Sequence, residues 1–220
     1  DETYKALEII DKYPSIFYTT VGFHPHNAKD FKESNIYIIK KLLENKHVVA
    51  IGECGLDFYR EYSTKREQVN CFEHHLSIAS ETKKPLFLHE RDAFNDFYDM
   101  LKNHCDNLQN FVVHCFTGNK SNLIKYLDIG AYIGLTGWLT DTNRGSHLKD
   151  IIKFIPHDRI MIETDAPYLI PHNMNFKHDG MNKPAYLPYV AEAVALSMDL
   201  ELNYLSTITI ENTKKFFNLI

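Results

Sequence analysis

The sequence predicts an α/β fold of parallel strands, a (β/α)₈ TIM barrel whose first two βα units lie outside this chain. Three observations predict it. Short β-branched and aromatic runs alternate with longer stretches of helical spacing along all 220 residues. His, Asp and Glu recur at the C-terminal ends of successive runs, where parallel α/β folds build their sites. The chain opens inside a helical pattern, 2-ETYKALEIIDKY-13, and shows six strand runs where a closed barrel needs eight. An open doubly wound sheet, which tolerates six strands, is the alternative.

The first strand expected after that helix is 16-IFYTTVG-22, followed by the polar turn 24-HPH-26. The second, 47-HVVAIGE-53, is an apolar run that ends on Glu53 between two glycines. A buried carboxylate is costly unless it is paired, so Glu53 calls for a cation or a metal. The helix 64-TKREQVNCFEHHLSIASETK-83 follows, with Val69, Phe72, Leu76 and Ala79 on one face and a Thr64–Glu67 capping box at its start. Next come 85-PLFLHE-90, which carries His89, and 110-NFVVHCF-116, which carries His114. The strand 131-AYIGLTG-137 contributes no ligand, and 159-RIMIETD-165 ends on Asp165. One βα unit takes roughly 25–35 residues, and the interval from His114 to Asp165 is long enough for two. No linker, repeat or low-complexity stretch interrupts the pattern, so residues 1–220 are expected to form one domain.

Composition narrows the function. With 24 Lys and Arg against 29 Asp and Glu, the net charge is −5. Holding nucleic acid on a wide basic surface is therefore disfavoured, but a nuclease whose metal supplies positive charge is not. Cys54, Cys71, Cys105 and Cys115 show no CxxC spacing and read as reduced thiols. Alternation turns Cys54 and Cys115 away from the ligand face, as small buried hydrophobes. No run is long and apolar enough to span a bilayer. A cytoplasmic or nuclear location is expected. Secretion stays open, because the chain starts on Asp1 rather than Met.

Two imidazoles and two carboxylates at strand ends suit Zn²⁺, Mn²⁺ or, with more water ligands, Mg²⁺. Glu53 is placed to bridge two ions. Most other histidines lie in helices or near element ends, and for these a structural role is the simpler account. His172 and His178 fall in the long loop after the last strand, 166-APYLIPHNMNFKHDGMNKPAYLP-188, which is long enough to reach a site. In 137-GWLTDTNRGS-146, Trp138 suits stacking on a base and Arg144 suits a phosphate; packing as a lid accounts for Trp138 equally well.

The motifs GFHPH, GECGLDFYR, LHERDAF, VHCFTG and ETDAPYLIP resemble the TatD family of metal-dependent deoxyribonucleases, and GWLTDTNRG and NKPAYLP are similar to the branch nearest TatD itself. The resemblance covers essentially the whole chain. It implies a TIM barrel of the amidohydrolase kind that hydrolyses DNA phosphodiesters, typically from an end. It also implies one or two divalent ions, Mg²⁺ first among them for activity. Carried over residue by residue, it implies Glu53, His89, His114 and Asp165 as metal ligands. Asp165 would also serve as the proton acceptor, and His24 and Arg91 as phosphate contacts. Two features depart from the family pattern. The strand with a His-x-His pair is absent from this chain, and 181-MNKP-184 stands where relatives carry Arg-Asn-Glu-Pro. Two rivals remain: a related barrel hydrolase of small esters, amides or lactones, since fold does not dictate substrate, and a lapsed barrel that only binds. No protein partner is implied.

Overall fold

A computed structural model of the chain describes residues 2–219. They form two compact units, the first up to Phe111 and the second from Val112 onward.

The first unit opens with helix α1 (Glu2–Lys12) and strand β1 (Thr19–Val21). A 3₁₀ turn (Pro25–Asp30) and helix α2 (Ser34–Leu42) lead to β2 (Val48–Asp57). Helix α3 (Lys65–Thr82), β3 (Leu86–Arg91) and α4 (Phe94–His104) complete it. β1 pairs with β2 and β2 with β3, all parallel. The apolar centres of these strands, including Val48, Ala50, Ile51, Leu86 and Leu88, are fully buried. Continuous apolar runs are what a parallel sheet covered by helices demands.

β2 does not end on Glu53 as its apolar run predicts; it continues to Asp57. The pairing steps from Gly52↔Phe87 to Cys54↔Leu88 and leaves Glu53 out of register. Such a bulge re-aims one side chain without ending the strand. Gly52 and Gly55 permit it. Each has a φ that L side chains avoid, +146° and +140°, and a Cβ on them would lie 2.3 Å from Phe87 O and 2.0 Å from His89 O.

The α3 capping box is present in full: Thr64 accepts from the Glu67 amide, and Glu67 accepts from the Thr64 amide. The buried face of α3 carries Cys71, Phe72, Leu76, Ile78 and Ala79, with Val69 only half-buried. Gln68 and His75 share that face because each is hydrogen-bonded. Gln68 accepts the Asp57 amide and donates to Asp57 O and Ser63 O. Cys54 is fully buried with Cys71 of α3 beside it, and burial pushes its thiol pKa well up, as expected of a packed, inert sulfur.

The second unit takes up the chain from the second residue of β4 (Phe111–Val113) and runs through α5 (Lys120–Asp128), β5 (Tyr132–Leu135), a 3₁₀ turn (Gly137–Thr140), α6 (Leu148–Ile151) and β6 (Ile160–Ile162). A 3₁₀ turn (Pro184–Tyr186), α7 (Leu187–Met198) and α8 (Leu202–Phe217) follow. β4, β5 and β6 are parallel. Buried Asn212 ties α8 to the sheet by donating to His157 O and Ile160 O, both at 2.8 Å. Between β6 and Pro184 there is no helix or strand, as the unperiodic sequence there predicts.

Candidate metal centre

In the first unit, His24, Glu53 and His89 form a group whose candidate ligand atoms all lie within 4.8 Å of one another. His24 caps the 3₁₀ turn after β1, and its Nδ1 accepts the His26 amide at 3.2 Å. A neutral imidazole has one N–H, so the proton of His24 sits on Nε2, which lies 3.4 Å from Glu53 Oε1. The approach to His24 is held from below: the Phe23 amide donates to Nε2 of His75 at 3.0 Å, and His75 Nδ1 donates to Cys71 O at 2.7 Å. Burial lowers the His75 pKa to about 4, so the ring is neutral and its tautomer is set.

Asp57, four residues beyond Glu53 and fully buried, is the residue that sequence reasoning passed over. Its Oδ2 lies 2.7 Å from His26 Nε2 and 3.4 Å from His89 Nε2, and its Oδ1 accepts the amides of Tyr59 and Arg60. Burial opposes its charge, but these bonds outweigh it and hold the carboxyl well below the usual range. His89 Nδ1 bonds Glu53 Oε1 at 2.8 Å, while its Nε2 is buried without an aligned hydrogen-bond partner. Burial also opposes charge on His89, yet the carboxylates of Asp57 and Glu53 raise its pKa. For His26 burial prevails over the Asp57 bond, and its pKa falls.

In the second unit, His114 follows β4 and is nearly buried. Its Nδ1 bonds Glu163 Oε2 at 2.8 Å, which leaves Nε2 as the lone-pair nitrogen, 3.7 Å from Asp165 Oδ1. Glu163 Oε1 also accepts the Cys115 amide at 2.7 Å. A carboxylate that fixes the far nitrogen of an imidazole is the usual support of a metal-binding histidine. Glu163 was also missed, because its bond to His114 joins residues 49 apart in the chain. Gly134 of β5 makes room for it, since a Cβ there would lie 2.2 Å from Glu163 Oε1.

Asp165 has a positive φ of 56° and starts a turn in which its carbonyl accepts the Tyr168 amide. Buried Asn182 grips that turn through Nδ2 bonds to Thr164 O, Tyr168 O and Leu169 O. Within 181-MNKP-184, then, Asn182 is structural, Met181 is exposed, and Lys183 pairs with Asp179 at 2.9 Å.

The remaining predicted residues lie as follows. Arg91 ends β3, stacked over the Tyr59 ring at 4.0 Å. Arg144 lies over the Trp138 ring at 4.3 Å and bonds Asp141 Oδ2 through Nε at 2.5 Å. The donors fit a divalent cation: imidazole nitrogens and carboxylates, one of them a buried nitrogen without an aligned hydrogen-bond partner. Two ligands at ordinary ion distances lie roughly 3–4 Å apart, as His114 Nε2 and Asp165 Oδ1 do. No helix among the described residues is long and apolar enough to cross a membrane.

Parallel βα units that carry imidazoles and carboxylates in or just past their strands define an α/β protein with a site able to hold a metal ion. Comparison with known proteins narrows the class. The family model "TatD related DNase" matches residues 1–218, and the chain belongs to that family. It is 42% identical over 219 residues to a protein named "3'-5' ssDNA/RNA exonuclease TatD" from Rahnella sp. (strain Y9602), covering 99% of this chain and 83% of the relative. A protein of the same name from Edwardsiella piscicida is 39% identical, covering 99% and 84%. A crystal structure of a TatD family hydrolase from Entamoeba histolytica superposes with a TM-score of 0.86 at 27% identity, covering 97% of this chain and 80% of that one. The fold is that of the TatD-type TIM barrels, and the chemistry of the family is hydrolysis of nucleic-acid phosphodiester bonds.

Proposed function

We propose that this chain is a metal-dependent deoxyribonuclease that removes nucleotides from a strand end. Its identity to the two exonucleases makes 3'-to-5' trimming of single strands the expected polarity. The observation that carries the reading is the Glu163–His114–Asp165 arrangement, in which one carboxylate sets the tautomer and the ligand nitrogen turns toward a second carboxylate.

Glu53, His89, His114 and Asp165 are the proposed metal ligands; what unites them is the order of their motifs. Mg²⁺ is the expected ion for activity, with Mn²⁺ and Zn²⁺ compatible with the same donors. When bound, a divalent ion supplies charge at the phosphate and makes water more acidic. Asp165 accepts the proton of the attacking water. His24 donates from Nε2 to a non-bridging phosphate oxygen, a role its tautomer suits because Nδ1 is already occupied by the His26 amide. Arg91, Trp138 and Arg144 are the proposed contacts to the strand. Asp57 holds His26 and stands beside His89, so it positions the imidazoles without touching substrate.

The test is degradation of end-labelled DNA by the full chain in EDTA, then with Mg²⁺, Mn²⁺ or Zn²⁺ restored, with Asp165→Asn in parallel. Activity that needs the ion and disappears in the variant supports the reading. Stoichiometric metal binding without cleavage of any DNA or RNA overturns it.

A further inference from the structure

We propose that a cavity in the second unit, beside the turn that carries Asp165, is a binding site for a nucleobase. The proposal rests on the nuclease reading above and names the part of the substrate that this region recognises.

The cavity measures about 400 Å³, within the size range of small-ligand sites, roughly 300–1,000 Å³. Its walls come from the 3₁₀ turn after β5 and the loop after β6, chiefly Trp138, Asp141, Arg144, Tyr168, Leu169 and His172. The walls are preformed. A Cβ on Gly137 would lie 2.2 Å from Leu169 O, so the two loops press together with no space for a larger residue. The His172 amide donates to Thr140 Oγ1 at 2.7 Å and ties them again. Gly145 lets the chain close over Trp138, since a Cβ there would lie 1.9 Å from the Trp138 carbonyl oxygen. The turn that sets Asp165 also sets the cavity, because the Tyr168 amide is bonded to the Asp165 carbonyl at 2.8 Å.

The chemistry of the lining selects a base over a phosphate. Arg144 is the only Lys or Arg in the lining, and its charge is matched by Asp141, whose Oδ2 takes its Nε and whose Oδ1 takes its amide. A dianionic phosphate entering here would meet no surplus positive charge. A flat, neutral heteroaromatic ring meets two aromatic side chains instead. Arg144 lies over the Trp138 ring, and such rings with a cation at hand are the platforms on which bases stack. Tyr168 is 70% exposed while lining a cavity, an arrangement that leaves its ring open to a planar guest.

Trp138 is the sole tryptophan, so it reports its own occupancy. The experiment titrates the full chain in EDTA with dAMP and, separately, with deoxyribose 5-phosphate, following tryptophan fluorescence excited at the red edge of the band. The expected result is saturable quenching by dAMP alone, weakened roughly tenfold or more in Tyr168→Ala and unchanged in Tyr37→Ala, an exposed position on α2. A second readout is cleavage of a strand whose terminal residue is abasic, expected to be slower than its normal counterpart through KM. Equal quenching by deoxyribose 5-phosphate, or no saturable quenching by dAMP, overturns the proposal. DNA degraded normally without dAMP quenching removes the base site and leaves the nuclease. Saturable dAMP quenching in a protein that cleaves no nucleic acid removes the nuclease and leaves the base site.

Discussion

His24, in the loop after β1, and His114, just past β4, are the same residue in comparable places, yet their inner nitrogens are bonded in opposite senses. His24 accepts a backbone amide at Nδ1, so its outer nitrogen carries the proton and donates. His114 donates its Nδ1–H to Glu163, so its outer nitrogen carries the lone pair and accepts. A ligand to a cation needs the second arrangement and a contact to a phosphate oxygen needs the first. What surrounds the inner nitrogen, not the histidine itself, decides which chemistry it does.

The largest expected effect tests the end toward which His114 points. Asp165→Asn should lower turnover by about 10³-fold or more while leaving the thermal midpoint near wild type. Activity within tenfold of wild type would remove Asp165 from the chemistry.

Next in size is the support under His24. The folded His75 pKa, about 4, lies below the ordinary 6.5, so the unfolded chain binds a proton more readily. The stabilisation is fully present above pH 6.5 and is lost as pH falls toward 4, by about 3 kcal/mol in all. Urea unfolding of wild type and His75→Gln between pH 7 and 4 measures this. The two stability curves should converge on acidification; parallel curves would show that His75 does not titrate in this window.

Glu163→Gln should weaken metal binding by roughly 10- to 100-fold, because the carboxylate no longer sets the His114 tautomer. Calorimetric titration with Zn²⁺ gives the number, and an unchanged affinity would separate Glu163 from the ion. The smallest change sharpens the comparison most. His24→Gln should leave Zn²⁺ affinity within about twofold while cutting kcat/KM on DNA by roughly tenfold or more, as loss of a phosphate donor does. A fall in metal affinity as large as that of Glu163→Gln would make His24 a ligand and erase the contrast.

The strand–helix alternation, the capping box at Thr64 and the placing of His24, His114 and Asp165 just past strands were legible in the chain, because apolar period and residue type are local properties. The continuation of β2 to Asp57 was not, since a bulge is made by the partner strand: Gly52 and Gly55 look like breakers until β3 is laid against them. Asp57 and Glu163 were hidden for a related reason. Each stood in plain view inside a quoted motif, but its role lies in a bond to a side chain far along the chain, 49 residues away for Glu163 and His114.

By itself, then, the sequence determined the βα order, the chemical types at the site and the family to which the chain belongs. Only the tertiary structure decided which nitrogen of His24 and of His114 is bonded, which carboxylates bond those distant imidazoles, and that Trp138, Arg144 and Tyr168 line a cavity. Tautomer and enclosure are set by neighbours in space, and the order of residues along a chain does not specify those neighbours until the chain has folded.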